Sequence, residues 1–137
     1  MMFLLDTNII SEMVKKQPDS KVIRKIGQHR DSIHIAAPVW HELVFGFNRM
    51  ADSPRRGTIE FFLYQVIKRT VQILPYDEKA ASWHAVERSR LSSKGLTPPF
   101  VDGQIASIAC TNNCVLVTRN TKDYQSFSDL MLVNWFE

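Results

Sequence analysis

The stretch Met1-Met2-Phe3-Leu4-Leu5-Asp6-Thr7-Asn8-Ile9-Ile10 decides the fold. An apolar run from Met1 to Leu5 stops abruptly at Asp6, and the residues after it lead into a helix from Asn8 to about Lys16. A short continuous apolar run followed by a helix is how a strand buried on both faces of an α/β domain begins. Asp6 then stands at the carboxyl end of a strand, and open parallel sheets bind their ligands just outside those ends. Asp6 or Thr7 also reads as a plain cap, because their side chains accept hydrogen bonds from the free N–H groups of a first helical turn. Acids at equivalent places later in the chain decide between the two.

The same alternation runs on to the C-terminus. Pro18-Asp19-Ser20 breaks the first helix, and Lys21 to His29 is amphipathic, with Val22, Ile23 and Ile26 inward. Ser32 to Ala37 is a second strand stopped by Pro38, and Val39 to Met50 is a helix with an apolar stripe of Trp40, Leu43, Val44 and Phe47. Asp52 to Gly57 reads as a loop exposing Arg55 and Arg56, and Thr58 to Thr70 as a helix with a broad apolar face. Val71 to Leu74 is the third strand, and a long helix from Asp77 to Ser93 ends at Lys94-Gly95, where glycine supplies the left-handed stop. Pro98-Pro99 opens a helix from Phe100 to Thr111, Val115 to Thr118 is the fourth strand, and Leu130 to Val133 is a short edge strand. The implied fold is α/β: three layers, α/β/α, with a central, mostly parallel sheet of about five strands in a single domain, 1–137.

Composition narrows the function classes. The chain has 137 residues, 45% hydrophobic and 23% charged, a globular profile. No apolar segment approaches the roughly 20 residues of a membrane span, and the opening run lacks the length and positive flank of a signal peptide. A cytoplasmic protein is expected. Cys110 and Cys114 have no second Cys pair or nearby His to complete a zinc set, so buried free thiols are expected. His41-Glu42 lacks the second His of a zincin helix. The net charge is +3, and with Asp6, Glu42 and Asp102 withdrawn into a site the rest of the chain carries 17 Lys and Arg against only 11 acids. Such a surface suits a polyanion.

Two further acids match Asp6. Glu42 falls in the first turn or so of the helix after the second strand, at the same edge of the sheet. Asp102 has Ile105, Ala106 and Ala109 at three, four and seven residues on, so its carboxylate lies on or beside a buried stripe, where acids are rarely placed unless paired. Gly103 beside it costs a helix about 1 kcal/mol against alanine and implies close packing. Two unit charges about 4 Å apart repel by roughly 4 kcal/mol at an effective dielectric near 20. Three carboxylates converging beyond the strand ends therefore need protons or a cation. Hard oxygen donors without Cys or His point to Mg²⁺, with Mn²⁺ as a substitute, and to phosphodiester cleavage.

Leu5-Asp6-Thr7-Asn8, Glu42-Leu43, Asp102 with Ile105-Ala106, and Val117-Thr118-Arg119-Asn120 together resemble the PIN-domain ribonucleases, in particular the VapC toxins of bacterial toxin–antitoxin pairs. The resemblance covers the whole chain. It implies a metal-dependent endoribonuclease, usually a homodimer, held inactive by a small antitoxin. Position by position it makes Asp6, Glu42 and Asp102 the metal-binding acids, with Thr7 and Asn8 flanking the first and Thr118 a hydroxyl that supports the cluster. Arg55, Arg56 and Arg119 are candidates for contact with RNA.

One position departs from the family pattern. The residue after Thr118-Arg119 is often a fourth acid, and here it is Asn120, which offers a carbonyl oxygen without charge. Asp123 either stands in through water or caps the helix after Thr121. On three acids alone, at most one metal ion is expected in the free protein. Haloacid-dehalogenase-type phosphatases need a second acid where this chain has Asn8, and receiver domains need an Asp where the middle strand ends in Leu74-Pro75. A non-catalytic PIN-like module that binds RNA or a partner is the alternative.

Overall fold

A computed structural model describes residues 1–137. Strand β1 (Met2–Leu5) leads into a single α-turn, α1 (Thr7–Ile10), that tightens into a 3-10 segment, Ser11–Val14. Helix α2 (Ser20–Gln28), strand β2 (Ile33–Ala36) and helix α3 (Ala37–Asn48) follow. Helix α4 (Pro54–Phe61) runs on through a π-helical segment, Phe62–Ile67, into α5 (Lys68–Thr70). Then come β3 (Gln72–Leu74), α6 (Glu78–Ser93), α7 (Phe100–Thr111), β4 (Cys114–Val117), a 3-10 turn at Thr121–Tyr124 and β5 (Leu132–Val133).

The five strands lie in the order β3-β2-β1-β4-β5, and all four pairings are parallel. Parallel pairing puts every crossover over a face of the sheet, which explains why β4 is buried at all four positions and why Leu4, Leu5 and Ile35 have no exposed surface. Chain order moves outward from β1 in one direction through β2 and β3, and resumes on its other side with β4 and β5. The switch point lies between β1 and β4, where such sheets open a crevice beyond their carboxyl ends.

Several local expectations are corrected. Ser53 caps α4 by accepting from the Arg56 N–H, and Pro54 opens it, so Arg55, Arg56 and Gly57 belong to a helix rather than a loop. Proline is tolerated there because a first-turn N–H has no intrahelical partner. For the same reason Pro38 lies in the first turn of α3 instead of merely ending β2. The helix expected from Asn8 to Lys16 is split into α and 3-10 parts, and that expected from Thr58 to Thr70 carries the π segment. Ile23, expected inward, is exposed, while Val22 and Ile26 are buried. The strands begin or end one or two residues from their expected limits; Thr118 lies just past β4. The stop after α6 is as expected, with Gly95 at φ +76°. Cys110 and Cys114 are free thiols, the second buried. No helix is long and apolar enough to cross a membrane.

Candidate active site

Register builds the site. Leu5 of β1 pairs with Val117 of β4, so Asp6 and Thr118 leave the sheet side by side at the switch point. The Asp6 N–H extends the ladder by donating to the Val117 carbonyl at 2.9 Å. The Asp6 side chain does both things open to it in the sequence. Its Oδ1 accepts from the Thr7 N–H at 2.8 Å and caps α1, while its Oδ2 accepts from Thr118 Oγ1 at 2.8 Å. The Thr118 hydroxyl has one proton, and its other neighbours, Asn8 Nδ2 at 3.5 Å and the Asn120 N–H at 3.1 Å, are both donors. The proton is therefore committed to Asp6. Asn8 completes the network by accepting from the Arg119 N–H at 3.1 Å.

Glu42 is the sixth residue of α3, in its second turn and exposed, so it is not placed by the helix's positive end. Thr7 Oγ1 places it, donating to Glu42 Oε2 at 2.6 Å. Asp102 is the third residue of α7 and half-buried. The buried Tyr124 hydroxyl lies 3.5 Å from its Oδ1. Asp123 is neither distant nor a cap: the 3-10 turn that carries it has no side-chain cap, and Asp123 borders the same cleft as Asp6, Glu42 and Asp102. Thr7, Asn8, Asn120 and Tyr124 complete the lining.

Four carboxylates therefore face one cleft, and none has a basic partner. The only two ion pairs in the chain, Lys15 with Glu12 and Arg90 with Glu87, lie elsewhere. Burial raises the Asp6 carboxyl above its ordinary range against its two hydrogen bonds, and the charges of Glu42 and Asp123 add to the rise. Asp102 is raised too, by burial and then by Asp123, Asp6 and Glu42. Burial, together with Asp6 and Asp102, pushes the Tyr124 hydroxyl upward, so it stays a donor at any working pH. The acids ring the cleft rather than converge on a point: no three His, Cys, Asp or Glu side chains form a ready-made metal cage. An all-oxygen, uncompensated set of this kind fits a hard divalent cation that keeps some of its water.

The arginines are elsewhere. Arg56 lies over the Phe47 ring at 4.2 Å and Arg119 over Phe136 at 4.3 Å, while Arg55 borders a separate apolar groove. None of them lines the acid cleft. What the sequence reading missed is the packing behind Asp102. A Cβ on Gly103 would overlap the His84 ring at Nε2, so α7 lies on α6 at a point that leaves no room for a side chain unless His84 moves. His84 is buried, with Nδ1 2.8 Å from the Tyr76 hydroxyl. The glycine was the available signal, but no pattern named its partner.

Comparison with known proteins agrees with this geometry. The PIN domain family matches residues 3–129. Ribonuclease VapC2 of Rickettsia felis is 29% identical, over 98% of each chain. Toxin FitB of Neisseria gonorrhoeae is 29% identical over 90% of this chain and 91% of its own. The crystal structure of FitAcB from Neisseria gonorrhoeae superposes with a TM-score of 0.89 at 28% identity, covering 99% of each chain. With a parallel sheet in this order, an acid cleft at its switch point and a family match over most of its length, the chain belongs to the PIN domain family.

Proposed function

We propose that the chain is a metal-dependent endoribonuclease and the toxin of a toxin–antitoxin pair. The observation that carries this is the cleft at the β1/β4 switch point, lined by four carboxylates with no cation of the protein's own. The names ribonuclease and toxin borne by its relatives support the same reading. Asp6 and Asp102 would hold Mg²⁺, with Mn²⁺ as a substitute and Glu42 contributing directly or through water. When bound, the ion supplies the missing positive charge, a lowered pKa for water and stabilisation of charge developing on the phosphate.

The remaining roles belong to the chain's own groups. Thr118 fixes the rotamer of Asp6 by hydrogen bonding, and Thr7 fixes Glu42. Tyr124 is buried, lines the cleft and turns its hydroxyl toward Asp102. Asn120, a neutral acceptor, leaves the fourth charge to Asp123.

The antitoxin reading has its own support. A groove between the 3-10 segment, α3 and α4, lined by Val14, Leu43, Phe47, Met50 and Ile59, is bordered by Glu42, which also borders the acid cleft. An apolar segment of a small antitoxin lying in it could deliver an arginine to the carboxylates, whose geometry matches a guanidinium fork. Two copies are expected to pair as a homodimer. The test is expression in a bacterial host without a partner: the wild type arrests growth, whereas Asp6→Asn and Asp102→Asn are tolerated. Equal toxicity of all three would contradict cleavage as its cause.

A further inference from the structure

Three clefts adjoin on the face that carries the acids. The acid cleft shares Asp102 and Asp123 with a second, which in turn shares the segment 96–99 with a third. The sign of charge reverses along them. At the far end stand Arg88 and Phe100, with the guanidinium 5.2 Å from the ring centroid. Both side chains reach solvent there. Phe100 is 49% exposed and Val101 beside it 42%, whereas Ile105, Ala106, Ile108 and Ala109 further along the helix are buried. Arg88 is exposed and pairs with no carboxylate. His84 lies behind the ring, 4.8 Å between centroids, and holds it in place.

A polyanion approaching four carboxylates is repelled at the cleft itself, so a strand that reaches them needs purchase outside it. An aromatic face beside an arginine is the arrangement by which proteins hold unpaired nucleotides, the ring stacking on a base and the guanidinium meeting a base plane or a phosphate. We propose that Arg88 and Phe100 form a subsite for single-stranded RNA. A strand with its phosphodiester at Asp6 and Asp102 passes over Pro98-Pro99 and places a neighbouring nucleotide on this pair. The proposal rests on the ribonuclease reading for the course of the strand. Because every base has a π face, the subsite contributes affinity with little sequence preference.

The test is fluorescence anisotropy with a fluorescein-labelled 15-nucleotide RNA of mixed sequence, using the Asp6→Asn chain in EDTA so that neither cleavage nor a metal ion enters. Phe100→Leu keeps an apolar contact for His84 but removes the aromatic face, and should weaken binding roughly 10-fold. Arg88→Gln should weaken binding and lower the salt slope by about 1. Arg24→Gln, on α2 and bordering none of the three clefts, should bind as the parent does. Unchanged melting temperatures show that the variants are folded. Parental affinity in both cleft variants, or an equal loss in Arg24→Gln, overturns the subsite.

Mg²⁺-dependent cleavage of cellular RNA by the chain with Asp6 intact separates the two claims. Cleavage combined with parental RNA binding in both cleft variants retires the subsite and leaves the ribonuclease reading standing. Binding that depends on Arg88 and Phe100, without cleavage, does the reverse. Absence of both overturns both.

Discussion

The Thr118 hydroxyl donates a 2.8 Å hydrogen bond to Asp6 Oδ2, joining the exits of β4 and β1 across 112 residues of chain. Thr118 has no exposed surface and also accepts from Asn8 and Asn120. Thr118→Val keeps the shape but leaves two donors and a buried carboxylate short of a partner. Its stability should fall by about 1–3 kcal/mol, and Mn²⁺ affinity by roughly 10- to 100-fold. Thr118→Ser should restore most of both, as read by urea unfolding and calorimetry.

Gly103 and His84 form the second constraint. Helix propensity alone predicts that Gly103→Ala stabilises α7 by about 1 kcal/mol, whereas forcing extra volume into a packed interior costs roughly 1–3 kcal/mol. The second effect wins here, because His84 is held by Tyr76 and Phe100 and cannot swing away freely. Gly103→Ala should be net destabilising, and His84→Ala combined with it should cost less than the two single changes added. Parallel denaturant melts of the four chains read the coupling.

The acids set the pH dependence of the metal-free protein. Asp6 and Asp102 have raised pKa values in the folded chain, so it holds their protons more tightly than the unfolded chain, which releases them near pH 4. Stability therefore falls as pH rises from that point through the raised values. Glu87 acts oppositely. The Arg90 guanidinium and the Ser128 N–H hold it down to about 2, and its contribution is lost as pH falls from the ordinary Glu range towards that value. Asp102→Asn should raise the melting temperature in EDTA at pH 7 by about 2–5 °C and abolish the rise that Mn²⁺ produces in the wild type. Thermal melts from pH 4 to 8, with and without Mn²⁺, measure both.

Asp123 is the position where the structure changes the expected charge count. With Asn120 neutral, three acids would support one ion in the free protein; with Asp123 on the cleft wall there are four. Asp123→Asn should weaken Mn²⁺ binding about 10-fold or more, and Asn120→Ala should have the smaller effect. A calorimetric titration in which Asp123→Asn matches the wild type would return Asp123 to the solvated surface.

The parallel sheet and its first acid were legible because a strand covered on both faces must be apolar throughout, and the point where Met1–Leu5 gives way to Asp6 marks its end. Asp102 could be read because a carboxylate beside Ile105 and Ala106 contradicts its surroundings. Ser53-Pro54 was misread although the signal was present: a Ser cap before a first-turn proline opens a helix as readily as it marks a loop. Other features were not local. Neither the meeting of His84 with Gly103 nor that of Tyr124 with Asp102 follows from periodicity, since each depends on how two distant elements pack. Glu42 was placed by its helix following the second strand, but its second-turn position and the Thr7 hydroxyl that holds it needed the fold.

Metal-dependent catalysis at Asp6 is tested most directly by cleavage of total cellular RNA by the purified chain, with Mg²⁺ or with excess EDTA, beside Asp6→Asn. Cutting is expected only with the metal, with products carrying 5′-phosphate and 3′-hydroxyl ends, and the Asp6→Asn chain is expected to be inert. Undiminished cutting in EDTA, or equal cutting by Asp6→Asn, would contradict metal-dependent catalysis at Asp6.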